Sequence, residues 1–276
     1  CEWNRLLAWR NKRFGKMIAH MKTLYAHREL LWMWMMREFK VRYKQSILGA
    51  AWAILQPLAL MIVFTVVFSF FARVPTDGVP YPLFSYTAVL PWTFFATAIS
   101  FAVPSLVNNM NLVTKIYFPR EVLPIASVVA AFVDFLVAST VFLGLMLFYR
   151  VPLQPSLVWV PLLLVVQIIL TLGVALPASA LIVRYRDIRF AVPLGLQIWM
   201  YASPIIYPAS LVPERLRTLY MLNPMAGLID SYRRVVLQGQ SPQLPYLTTS
   251  AVIAVTLLLA GYAYFKRSEP LFADII

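Results

Sequence analysis

Asp134 is the only acid placed well inside an apolar run. A carboxylate at that depth is a functional candidate by default, and carrying protons is the chemistry it would serve. The structural alternative is a hydrogen bond to a Ser, Thr or Gln of a neighbouring helix. Other reactive side chains are sparse. His20 and His27 lie seven apart in a basic stretch and read as solvated or headgroup-level residues. No Cys/His cluster has metal-binding spacing. Gly15-Lys16 lacks both the upstream glycine and the hydroxyl residue of a phosphate-binding loop. Paired carboxylates or histidines near a membrane face, which an enzyme acting on lipid-linked sugars would need, are not seen. The residues therefore describe a protein that is not an enzyme and does not hydrolyse ATP by that route.

The elements that must position Asp134 follow from composition. Of 276 residues, 61% are hydrophobic and 13% charged, with a mean hydropathy of +0.74. Soluble domains hold about 45–50% apolar and about 25% charged residues, and disordered chains are poorer still in apolar side chains. A net charge of +13 ordinarily suggests nucleic acid, but too little polar surface remains for that. The expected class is an all-α integral membrane protein. Cys1 is the single cysteine, so no intrachain disulfide framework is expected. It is read as a chain boundary, because the basic stretch after it argues against a lipid-modified cysteine on the outer side.

Crossing a bilayer takes about 20 apolar residues. Six stretches qualify or nearly so: 48–72, 83–107, 122–148, 157–183, 190–206 and 245–265. The fifth is short and carries Pro193 and Pro204, which predicts a broken or tilted helix. Pro57, Pro91, Pro104, Pro124, Pro161 and Pro177 predict kinks, tolerated where neighbours satisfy the freed carbonyls. Of the 24 Lys+Arg, only Arg73, Arg150, Arg215, Arg217, Arg233 and Arg234 fall outside if both termini are cytoplasmic. Eleven precede the first span. The positive-inside rule then places both termini inside with an even number of spans.

Three segments stand apart from the spans. Residues 24–47 place Leu31, Trp34, Met35 and Phe39 on one side and Arg37, Lys40 and Lys44 on another, as in a helix lying in the headgroup layer. Glu38 and Arg42 sit near the apolar side and could pair four residues apart. An ordinary basic flank is the alternative. Residues 207–244 read as two short outer helices divided at Asn223-Pro224. One presents Leu216, Leu219 and Tyr220; the other presents Leu228, Ile229, Tyr232, Val235 and Val236, with Asp230 paired at the surface to Arg233 or Arg234. The inner loop 111–124, NLVTKIYFPREVLP, sets Tyr117 and Phe118 inside a rim of Lys115, Arg120 and Glu121. Aromatic anchors within a polar rim suit a protein interface, or an aromatic turn anchoring the loop to the membrane surface.

These segments resemble a known family. The run 40–57, KVRYKQSILGAAWAILQP, is similar to the opening of permease subunits of polysaccharide-exporting ABC transporters, and 111–124 is similar to their first cytoplasmic loop. RYRDIR (184–189), SPIIYP (203–208) and LNPM (222–225) follow in the family's order. The likeness runs from about Tyr25 to the C-terminus, and residues 1–23 read as a basic extension outside it.

The resemblance implies six spans within 48–276 and a homodimer working with two separate ATP-binding subunits. ATP and Mg belong to those partners, with no cofactor in this chain. It makes 111–121 the coupling helix that docks on the ATPase, through Asn111, Lys115, Ile116, Tyr117, Phe118, Pro119, Arg120 and Glu121. The outer pair becomes gate helices, with Leu216, Tyr220, Asn223, Pro224 and Tyr232. The implied substrate is O-antigen, capsule or teichoic-acid-like glycan on undecaprenyl diphosphate, exported across the bacterial inner membrane. Arg37, Lys40, Arg42 and Lys44 are placed to meet the diphosphate or bulk anionic lipid. Sugar C–H faces stack on aromatics, for which Tyr86, Trp92, Phe94, Phe95, Phe101, Trp199 and Tyr201 are available, although each could equally face core or lipid. Competing readings are an ABC permease for a small hydrophobic molecule and a proton-coupled carrier using Asp134.

Overall fold

Apolar length sets the architecture. The structure is a computed structural model that describes residues 28–44, 46–76, 78–115 and 118–272. Among these residues it is helical, without strands. The basic extension 1–23 lies outside them, as do 24–27 of the expected interfacial helix. That helix, α1, spans Arg28–Tyr43. Gly49, at φ 50°, takes the left-handed conformation in the turn that follows, where a side chain would be strained.

Five stretches are long and apolar enough to cross a membrane: Gly49–Phe71, Tyr81–Ala102, Val122–Phe148, Pro155–Arg184 and Leu244–Ser268. The first contains α2 (Trp52–Phe64) and closes in seven residues of wider π-helix, Thr65–Phe71. The second is α3, Tyr81–Ala102. Two short inner helices follow, α4 (Ser105–Asn108) and α5 (Met110–Lys115). The remaining long helices are α6 (Val122–Phe148), α7 (Val160–Arg184) and, last in the chain, α11 (Leu244–Ser268).

The expected fifth span, 190–206, differs. Its helix, α8, covers Ile188–Tyr201, 14 residues. At about 1.5 Å per residue it is ~21 Å long, short of the ~30 Å apolar core of a bilayer. Pro204 explains the early end, because a proline disfavours the helical conformation at the residue before it. The two outer helices are present as α9 (Glu214–Tyr220) and α10 (Pro224–Val236).

α3 is the axis of the protomer. Leu83, Tyr86, Ala88, Val89, Phe95 and Ala98 are fully buried, and α3 packs against α2, α6, α7 and α10. α7 and α11 pack most extensively of all. They meet at glycines: a Cβ on Gly173 would lie 2.8 Å from the Leu258 nitrogen, and one on Gly261 2.8 Å from the Gly173 carbonyl oxygen. Small residues allow this approach, and close packing drives helix association in lipid. By contrast, Trp52, Ile62, Phe70 and Phe71 on the first stretch and Phe190, Leu194, Ile198 and Tyr201 on α8 are exposed. Leu143, Leu147 and Phe148 on α6 and Val252 on α11 are exposed as well, so several helices present apolar surface that the chain itself does not cover.

Candidate functional site

Asp134 finds its partners in α1. Arg42 forms an ion pair with one carboxylate oxygen through Nη1, and the Tyr43 hydroxyl donates to the other at 2.7 Å. This corrects two expectations: the partner of Asp134 is not a Ser, Thr or Gln of another span, and Arg42 does not pair with Glu38. Asp134 lies twelve residues into α6, or ~18 Å along its axis. The last turn of α1 therefore reaches down the flank of α6 and does not lie free at the surface.

The Arg42 guanidinium also rests 3.9 Å from the Phe101 ring centre. Its side chain is only 8% exposed, and Nε and Nη2 have no hydrogen-bond partner among the described residues. Burial, and then the bond to Asp134, push the Tyr43 phenol above its ordinary value, so it remains a donor. These groups border a cavity of about 230 Å³ walled by α2, α3 and α6, with Trp52, Pro57, Leu90 and Phe94 on its apolar side. The cavity is thus mostly apolar, with the Arg42–Asp134 ion pair and Tyr43 at one side. Arg37 is engaged differently: it donates to Asn109 Oδ1 at 2.8 Å and lies 4.4 Å from the Trp34 ring centre. Lys40 and Lys44 are exposed.

The described part of the 111–124 loop is bound to the rest of its own chain. Phe118 stacks on Trp34 with ring centres 6.4 Å apart. Glu121, 2% exposed, accepts from Lys266 Nζ at 2.7 Å, and Arg120 donates to the Glu269 carbonyl oxygen. Asn111 is exposed and Pro119 half-buried. Lys115 ends α5, while Ile116 and Tyr117 lie outside the described residues. A displacement of this loop would thus be felt by α1 through Trp34 and by α11 through Lys266.

The aromatics divide. Tyr86, Trp92, Phe94 and Phe95 are packed inside the protomer, whereas Phe101 and Tyr201 are exposed and Trp199 is half-buried. The Tyr86 hydroxyl donates to the Ala138 carbonyl oxygen at 3.1 Å, a buried use of its one polar atom. In the outer pair, Leu216 and Leu219 are exposed, and the Tyr220 hydroxyl is 3.1 Å from that of Tyr207.

α10 starts as its sequence requires. The Asn223 side chain accepts from the Met225 nitrogen at 3.1 Å, a cap placed just before Pro224. The same oxygen accepts from Trp199 Nε1 at 2.8 Å, and its amide donates to the Ala202 carbonyl oxygen and Ser203 Oγ. Arg233, buried against the Phe84 ring at 3.6 Å, donates to the carbonyl oxygens of Pro204, Ile205 and Tyr207. These bonds satisfy the backbone freed where α8 ends. α8, the 202–207 turn and α10 therefore form one hydrogen-bonded unit.

One tie was not anticipated. Gln167, fully buried in α7, donates to the Pro91 carbonyl oxygen at 2.7 Å and accepts from the Tyr232 hydroxyl at 2.9 Å. Its signal was an amide within the apolar run 157–183, where buried polar side chains join helices.

The chain matches the ABC-2 type transporter family over residues 29–237. It is 31% identical over 263 residues to an O-antigen export system permease protein, RfbA, of Myxococcus xanthus, covering 94% of this chain and 100% of that protein. It is 30% identical over 243 residues to the protein of the same name from Klebsiella pneumoniae, covering 87% and 92%. The polysialic acid transport protein KpsM of Escherichia coli is 23% identical over 244 residues, covering 85% and 91%. These relatives are transport proteins and not enzymes. With its long apolar helices, its uncovered apolar faces and a match over most of its length, the chain belongs to the ABC-2 type transporter family.

Proposed function

We propose that this chain is the membrane subunit of an ABC transporter that exports lipid-linked polysaccharide, an O-antigen, capsule or teichoic-acid-like glycan on undecaprenyl diphosphate. The observation that carries the reading is the 30–31% identity to O-antigen export permeases over nearly the whole chain. Two copies would enclose the path, each covering the exposed faces of the other's first span and α8, and two separate ATP-binding subunits would drive them. The charge count supports inner-membrane insertion with both termini cytoplasmic. An even number of spans then makes α8 with the 202–207 turn a crossing too, the fifth of six along the chain, its missing length taken up from outside by α9 and α10.

In this reading the lipid diphosphate is met at the inner leaflet by the Arg42 cavity and the exposed Lys40 and Lys44. The sugar chain follows Phe101, Trp199 and Tyr201, where aromatic faces allow it to slide. ATP binding in the partner, felt at 111–121, shifts the population between closed and open pairs. Phe118 and Glu121 would pass that shift to α1 and α11.

The test is complementation of cells deleted for the chain and for its neighbouring ATP-binding subunit. Surface glycan should return only when both are supplied. Export by the chain alone, driven by a proton gradient in proteoliposomes, would refute the proposal.

A further inference from the structure

We propose that a cavity on the outer side of the gate helices is a saccharide subsite, in which the Asp230 carboxylate receives the hydroxyls of one sugar ring. The cavity is about 160 Å³ and is built where α10 and the start of α11 meet the 208–217 segment. That is below the ~300 Å³ floor of ordinary small-molecule sites, so it holds one ring with the rest of a chain passing over it.

Asp230 was expected to pair at the surface with Arg233 or Arg234. Instead it makes no hydrogen bond, and no ion pair within 4.0 Å, among the described residues. The arginines are engaged elsewhere. Arg217 donates to the carbonyl oxygens of Ser210 and Val212 at 3.3 and 3.4 Å. Arg234 donates to Gln240 Oε1 at 2.8 Å and to the Ser241 carbonyl oxygen at 3.4 Å, and Arg233 holds the 204–207 turn. Burial holds the Asp230 carboxyl above its ordinary range, against the downward pull of Arg234, Arg233 and Arg217. The structure thus leaves a half-buried acceptor facing open volume.

Three further residues line that volume, Gln238, Gln243 and Tyr246, of which the two glutamines are exposed and Tyr246 is half-buried. Their polar side-chain atoms are likewise unpaired among the described residues. This combination selects a ligand. A carboxylate takes two neighbouring hydroxyls at once, amides both donate and accept, and the Tyr246 ring offers a face to C–H groups. A phosphate would meet the Asp230 carboxylate as a like charge. A divalent cation would find one acid amid three cations. A sugar ring fits the unspent groups, and its hydroxyls would restore to Asp230 the hydrogen bonds that burial removed.

The inference rests on the reading that the chain exports glycan, and the experiment separates the two. Wild type, Asp230→Asn and Gln243→Ala are each purified with the ATP-binding subunit in nanodiscs. They are titrated with lipid-free polysaccharide released by mild acid from the exporting strain, and export is followed in cells. Both variants should bind the polysaccharide at least about tenfold more weakly and slow export. Asp230→Asn also removes the acid beside Arg234, Arg233 and Arg217, so its melting temperature is recorded to establish that the variant is folded. Its relative stability should rise with pH as the wild-type carboxyl is forced to ionise. Unchanged binding in folded Asp230→Asn would overturn the subsite, as would a wild-type complex that exports glycan yet does not bind the polysaccharide. Wild type that exports no glycan with its ATPase would instead overturn the underlying function.

Discussion

Removing the Asp134 carboxylate strands the Arg42 guanidinium. The Arg42 side chain is 8% exposed, two of its nitrogens have no partner among the described residues, and Asp134 is its counter-charge. Deleting one member of a buried pair costs about 3–5 kcal/mol. Two features reduce that here. The adjoining cavity of about 230 Å³ admits water to the cation, and the Phe101 ring retains its attraction, worth ~0.5–2 kcal/mol. Asp134→Ala should therefore lose about 2–3 kcal/mol, a fall in melting temperature of about 4–12 °C at ~2–4 °C per kcal/mol. The measurement is thermal unfolding in nanodiscs of fixed lipid composition, followed by intrinsic fluorescence. Asp134→Asn should fall between wild type and alanine, because its amide can still accept from Tyr43. Asp134→Leu combined with Arg42→Met should recover most of the loss, since an apolar pair of similar volume removes both desolvation penalties. Melting of Asp134→Ala within about 1 °C of wild type, or a double variant no better than the single, would refute the argument that an isolated cation drives the effect.

Asn223→Ala removes the cap of α10 and the acceptor for Trp199 together; about 1–3 kcal/mol should be lost, with a shift in tryptophan emission. An unshifted spectrum would show that α8 and α10 are not joined through this residue. Gly261→Ala places a methyl group 2.8 Å from the Gly173 carbonyl oxygen; overpacking of this kind costs about 1–3 kcal/mol, read as a lower melting temperature, and an unchanged value would mean that α7 and α11 separate without penalty.

Long apolar runs made most of the helices legible, because bilayer thickness demands about 20 such residues whatever their order. α8 was harder. Hydropathy continues through 202–206, and only Pro204, read with the carbonyls that Arg233 collects, marks where the helix ends. The chemistry of α1 was misread for a similar reason. Helical spacing placed Arg42 near an apolar face and offered Glu38 as its partner, but a charge near a membrane takes the partner that three-dimensional packing supplies, and Asp134 is 92 positions away. Asp230 failed in the opposite direction: i,i+3 and i,i+4 spacing allows an ion pair, yet Arg233 turns to the 204–207 carbonyls and Arg234 to Gln240 and Ser241. Likewise aromatic content could not tell which rings of α3 would be spent on the core.

The Tyr232–Gln167–Pro91 tie has a consequence for how the protein is made. Gln167 enters the membrane 65 residues before Tyr232, so during synthesis its amide oxygen lacks its eventual donor in a medium that offers few. Until α10 arrives, the half-built bundle carries an unsatisfied polar group at its centre. Packing of α10 against α7 then supplies the missing donor. The tie that Tyr232 closes thus also records that the helices before it have been assembled.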